Sequence, residues 1–185
     1  MPAPPGDRRP ATILFADISG FTTLSERMDP EDVRDVIDAL FRRFRIAIEQ
    51  EGGTIDKFIG DAVMAIFGAP TPHADDPARA VRAALALQDE IARFNAGRTL
   101  DLRLRVGVHA GEILWGSVAG DRPTAMGDAV TLAQKVEGAC EPGCVLVTRS
   151  VERAVAGSFR MEGREGVKVK GRDGELEVFE ITGAL

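Results

Sequence analysis

The chain is short of residues that build soft-ligand metal sites. It carries two cysteines and two histidines in 185 residues. Cys140 and Cys144 have no further Cys and no neighbouring His to complete a zinc site, so they read as two buried thiols. His73 and His109 stand alone in the sequence. Positive charge is also scarce: 23 Lys and Arg against 29 Asp and Glu give a formal charge of −6. That leaves no basic face for a polyanion and excludes nucleic acid as the expected partner, while a few clustered cations can still meet a small phosphate ligand. No apolar run approaches the roughly 18 residues of a membrane span. The start, MPAPPGDRRP, lacks the apolar stretch of a secretory signal, and a cytoplasmic location is expected.

What is present suffices for one core. Hydrophobic residues make up 44% of the chain, with no composition break that would divide it. Residues 1–10, with four prolines, read as a disordered lead-in, and 11–185 as one domain.

The run Ala11 to Ala16 predicts a short buried strand, followed by a turn at Ser19-Gly20-Phe21-Thr22 that feeds a helix start. Asp29-Pro30-Glu31-Asp32 supplies cap, N1 proline and first-turn acids for a long helix, which Gly52-Gly53 ends. Thr54 to Ile59 and Ala62 to Phe67 read as a hairpin about Gly60-Asp61. A second long helix starts at Asp75-Asp76-Pro77 and ends near Gly97. Leu100 to Val108 alternates like a half-buried strand, and Gly111 to Val118 is expected to return beside it. A third helix runs from about Gly127 to Gly138, and Val145 to Val147 is a strand. Gly166 to Lys170 and Glu175 to Ile181 flank a turn at Arg172-Asp173-Gly174. Strands and helices mix without strict βαβ alternation, which predicts an α+β fold with helices packed on a mainly antiparallel sheet.

Two aspartates stand out. Asp17 ends the first apolar run, and Asp61 sits in the hairpin turn. Each alone reads as a turn former. If the hairpin lies beside the first strand, the pair converges, and two carboxylates with a glycine near each suit divalent cations held against a triphosphate.

FADISGFT, KFIGDAVMAIFGAP, RVGVHAGEILWG, AMGDAVTLA and VKVKG, in that order, resemble the catalytic domain of the class III nucleotidyl cyclases, the adenylate and guanylate cyclase family. The resemblance covers about residues 11 to 182. It implies a ferredoxin-like sandwich that forms head-to-tail homodimers, with nucleotide sites shared between subunits. The implied chemistry is attack of the ribose 3′-oxygen on the α-phosphate, releasing pyrophosphate and the cyclic nucleotide. By the same resemblance Asp17 and Asp61, assisted by the carbonyl of Ile18, hold two Mg2+ or Mn2+ ions per site. Gly20, Phe21 and Thr22 would offer backbone N–H groups to the phosphates, and Lys170 would reach the triphosphate. Lys57 and Thr124 match the family's adenine-selecting pattern, which makes ATP the expected nucleotide.

The chain departs from the family where an Asn and, four residues later, an Arg meet the ribose and the α-phosphate. Thr131 and Lys135 stand there. Thr has one hydroxyl where Asn has a separate donor and acceptor, and Lys lacks the planar fork of Arg. Losing one preorganised donor to developing charge costs roughly 10²- to 10³-fold in rate. Two functions follow: a module that binds Mg-ATP with cyclisation weak or lost, or a working adenylate cyclase with a relaxed pair. A phosphatase using Asp17 as nucleophile is disfavoured, because position 19 is Ser rather than a second Asp.

Overall fold

A computed structural model describes residues 6–168 and 175–185. The first strand, β1 (Asp7–Ser19), starts four residues before Ala11, so Asp7 to Pro10 belong to the sheet rather than to a lead-in. A seven-residue helix, α1 (Phe21–Arg27), follows at the expected turn. The long helix α2 (Pro30–Gln50) begins at the predicted Asp29 cap. The hairpin is present as β2 (Thr54–Ile59) and β3 (Ala62–Phe67), and α3 (Asp76–Arg98) is the second long helix.

The strand and return expected over 100–118 are instead one 14-residue strand, β4 (Arg103–Gly116). It pairs antiparallel with β1 along its whole length, from Asp7 opposite Trp115 to Ser19 opposite Arg103. Gly111, which reads as a strand boundary, answers to packing: a Cβ there would stand 3.2 Å from the Ala129 Cβ. After β4 come a three-residue strand, β5 (Thr124–Met126), then α4 (Asp128–Gly138) and β6 (Val145–Thr148). The chain finishes with α5 (Arg149–Val155), β7 (Phe159–Lys168) and β8 (Glu175–Ala184). β5 and α5 are too short to announce themselves by periodicity. The turn predicted at Arg172-Asp173-Gly174 lies outside the described residues.

One sheet runs in the order β2-β3-β1-β4-β6-β8-β7, with β5 added to β4. Among the described residues only β4 and β6 are parallel neighbours. The first four strands, connected βαββαβ and ordered β2-β3-β1-β4, make the ferredoxin-like α+β sandwich. Alternation along β1 feeds two cores. Leu14, Ala16 and Ile18 face the layer of α2, α3 and α5, packing with Phe44, Leu87, Phe94 and Val151. Ile13 and Phe15 face the other way, toward Met64, Ile113 and the small residues Ala129 and Ala133 of α4. Phe44 and Phe94 are fully buried, each contributing about 1.5–3 kcal/mol by leaving water. Asp17 continues the Ile13, Phe15 face, and so points to the side that α4 covers.

Candidate functional site

β1 and the β2–β3 turn bring Asp17 and Asp61 together. Asp17 pairs with Ala62 in the ladder, and the Ile18 N–H donates to the Asp61 carbonyl at 3.1 Å. Gly60, at φ +60°, takes the left-handed conformation that closes the turn. The two carboxylates are close enough to share a hydrogen bond. Burial, then the charge of Asp61 and that shared bond, push the Asp17 carboxyl up to about 6, against a smaller lowering by Arg105. The convergence expected from the sequence is therefore present.

Two further residues complete this cluster. Arg105 of β4 lies directly opposite Asp17 in the ladder. Glu137 of α4 is buried beside Asp17, and its carboxyl is pushed up to about 7, first by burial and then by the charge of Asp17. Glu137 Oε1 and Arg105 Nε are buried without a hydrogen-bond partner. Unsatisfied buried polar atoms are costly, and repelling carboxylates beside an under-used guanidinium are relieved by a divalent cation with a phosphate. Oxygen donors of this kind fit Mg2+ or Mn2+. Among the described residues no group of three or more His, Cys, Asp and Glu forms a cation cage.

The height of α4 over the sheet is set by Gly107. A Cβ at that position would stand 2.8 Å from Glu137 Cα and 3.0 Å from the Ala133 carbonyl oxygen, so only glycine lets the helix backbone settle there. On the same helix Thr131 is exposed and Lys135 half-buried. Their spacing of four puts both on one helix face.

Lys57 and Thr124 meet in a second place, an open cleft of about 660 Å³ whose lining includes neither Asp17 nor Asp61. They meet there because β2 is irregular. Ile55 pairs with Ala65 and Lys57 with Met64, leaving Asp56 as an extra residue. Ile55 is buried in the helix-side core and Phe58 stacks on Phe41 of α2 at 4.6 Å. With the bulge between them, Asp56 and Lys57 both turn to the opposite face. The Asp56 side chain is fully buried. It accepts from Thr124 Oγ1 at 2.7 Å and from the Ala125 N–H at 2.8 Å, and Lys57 Nζ lies 3.6 Å away.

Of the remaining expected site residues, Gly20 caps α1 with φ +90°, and Phe21 and Thr22 form its first turn. Lys170 lies outside the described residues. Asp56, Arg105 and Glu137 were not singled out from the sequence.

The adenylate and guanylate cyclase catalytic domain, as a family model, matches residues 5–183. An adenylate cyclase of Anabaena cylindrica is 33% identical over 94% of this chain, and the chain spans 37% of that relative's length. Among solved structures, the adenylyl cyclase CyaB from P. aeruginosa superposes with a TM-score of 0.91 at 28% identity, covering 96% of this chain and 95% of that one. The guanylate cyclase domain of RhGC from Catenaria anguillulae, in complex with GTP, gives 0.90 at 25% identity, covering 97% of this chain and 100% of that one.

Proposed function

The chain belongs to the adenylate and guanylate cyclase catalytic domain family, and on that premise we propose that it binds ATP with divalent cations between two copies of itself and cyclises it weakly or not at all. The observation that carries the binding function is the Asp17–Asp61 pair, two carboxylates at hydrogen-bond range with Arg105 opposite. Divalent cations, when bound there, would polarise the ribose 3′-oxygen and screen the triphosphate.

The chain's own groups divide the remaining work. Asp17, Asp61 and the Ile18 carbonyl hold the cations, and Arg105 offers a fixed positive charge to the phosphates. Backbone N–H groups from Gly20 to Thr22 stand at a helix start, where anions are favoured. Lys57 donates to the adenine ring, Thr124 meets its amino group, and Lys170 meets the triphosphate. Lys57 and Thr124 line a cleft separate from the carboxylate pair, which supports a site completed by a second, head-to-tail subunit. Thr131 and Lys135, on the helix that also carries Glu137, supply less to the developing charge than Asn and Arg would.

Calorimetric titration with Mn2+, ATP and GTP tests this. ATP should bind more tightly than GTP, and Asp61→Ala should remove the cation-dependent part of the affinity while the variant stays folded. Equal or tighter GTP binding overturns the base assignment, and unchanged affinity in Asp61→Ala overturns the cation site. Turnover to cyclic AMP at ordinary enzyme rates would establish the working-cyclase alternative, to which the named adenylate cyclase relatives lend weight.

A further inference from the structure

We infer that Asp56 is a specificity-positioning residue: by taking the hydroxyl hydrogen of Thr124, it leaves Thr124 able only to accept from the base, which selects a purine carrying an amino group at position 6. This rests on the nucleotide-binding function proposed above and deepens it.

A carboxylate accepts hydrogen bonds and cannot donate them. Thr124 Oγ1 is 2.7 Å from Asp56 Oδ1, so the hydroxyl hydrogen is spent on that bond and the oxygen's remaining lone pair faces the cleft. The other Asp56 oxygen is held by the Ala125 N–H at 2.8 Å, and Arg122 donates to the Asp56 backbone carbonyl. Two contacts thus fix the carboxylate and a third holds its backbone, and full burial removes competing water. The bulge that exposes Lys57 to the cleft also puts Asp56 beneath Thr124. One local irregularity therefore presents an ammonium donor and a hydroxyl acceptor side by side. Adenine matches them with a ring acceptor at N1 and an amino donor at position 6. A 6-oxo purine reverses both, leaving buried polar groups unpaired.

Asp56→Asn inverts the key element. The Asn carbonyl must stay on the Ala125 N–H, which turns its amide NH2 toward Thr124. The hydroxyl then accepts from Asn and points its hydrogen into the cleft. With ATP and inosine triphosphate as probes, and Mn2+ present, the unmodified chain should prefer ATP. In Asp56→Asn the ratio of the two affinities should fall by about tenfold, with inosine triphosphate binding more tightly than in the parent. A merely structural role would weaken both nucleotides equally, and that result overturns the inference.

Thr124→Val, of similar shape but without the hydroxyl, provides a second arm. It should remove the part of the preference that Thr124 supplies and leave the part that Lys57 supplies, and adding Asp56→Asn should then change the ratio no further. A preference retained in full in Thr124→Val overturns the inference, even if Asp56→Asn fails to fold. A parent chain that binds neither nucleotide overturns the proposed function and this inference together. Nucleotide binding with a ratio insensitive to Asp56→Asn overturns the inference alone.

Discussion

The Ile18 N–H donates to the Asp61 carbonyl at 3.1 Å, and this bond carries the sheet ladder one step past Asp17–Ala62 into the β2–β3 turn. It locks the turn to the strand end, so the Asp17 and Asp61 carboxylates cannot drift apart to relieve their repulsion. The strain is electrostatic, and pH exposes it.

Asp17 is raised to about 6 and Glu137 to about 7 in the folded chain. A carboxyl with a raised folded value binds more protons folded than unfolded, so its stabilising contribution is full below the unfolded value and is lost as pH rises through the folded one. The cation-free chain should therefore lose thermal stability between about pH 4 and 7. Asp17→Asn should melt higher than the parent at pH 7.5 without cation, converge with it below about pH 4, and fail to gain stability from Mn2+. A variant that melts lower than the parent at pH 7.5 would make Asp17 a structural cap.

Gly107→Ala should cost about 1–3 kcal/mol of stability, as overpacking does, because the new methyl meets the α4 backbone rather than a movable side chain. Denaturant unfolding measures this. A neutral substitution would mean that α4 can lift without loss, and that its height does not set the position of Glu137.

If each site draws its carboxylates from one subunit and Lys57 from the other, mixing Asp61→Ala chains with Lys57→Ala chains should restore one complete site per mixed dimer. Random pairing makes half the dimers mixed, so recovered ATP-binding capacity should approach about a quarter of the parent's. No recovery in the mixture would place the whole site within one chain.

Much of this was legible in the sequence. The N-terminal caps of α2 and α3, the glycine stop of α2, the β2–β3 hairpin and the Asp17–Asp61 convergence all come from local patterns that the tertiary structure keeps, whereas α3 runs through Gly97 and closes on Thr99 in the left-handed region. The failures share one physical cause, packing between distant segments. Gly111 reads as a strand boundary, yet it lies inside β4 where α4 packs closely, and Gly107, inside the expected strand, gives no sign that the α4 backbone settles on it. Arg105 alternates with Leu104 and Val106 like a solvent-facing residue, and only the β1–β4 register shows it opposite Asp17. Asp56 carried a faint signal: in Ile55-Asp56-Lys57-Phe58 two polar residues separate two apolar ones, which breaks the period of two and marks the bulge. Glu137 carried none, since its partners lie on other elements.

The double variant Thr131→Asn with Lys135→Arg should raise cyclic AMP formation by on the order of 10² or more, with a much smaller change in ATP affinity, because the restored contacts form chiefly in the transition state. The two changes should be more than additive, being one turn apart on α4 and aimed at one phosphate. A double variant that stays inert while binding ATP would place the block elsewhere, in the closing of two subunits over the site.

The central claim is that this chain keeps the metal and nucleotide contacts of its family while lacking the pair that stabilises the transition state. The direct test measures ATP affinity and cyclic AMP production on one preparation of the unmodified chain, with Mg2+ and with Mn2+. Cation-dependent ATP binding with turnover far below about 1 per second, near the low end of ordinary enzyme rates, is the predicted result; turnover at or above that rate would contradict it.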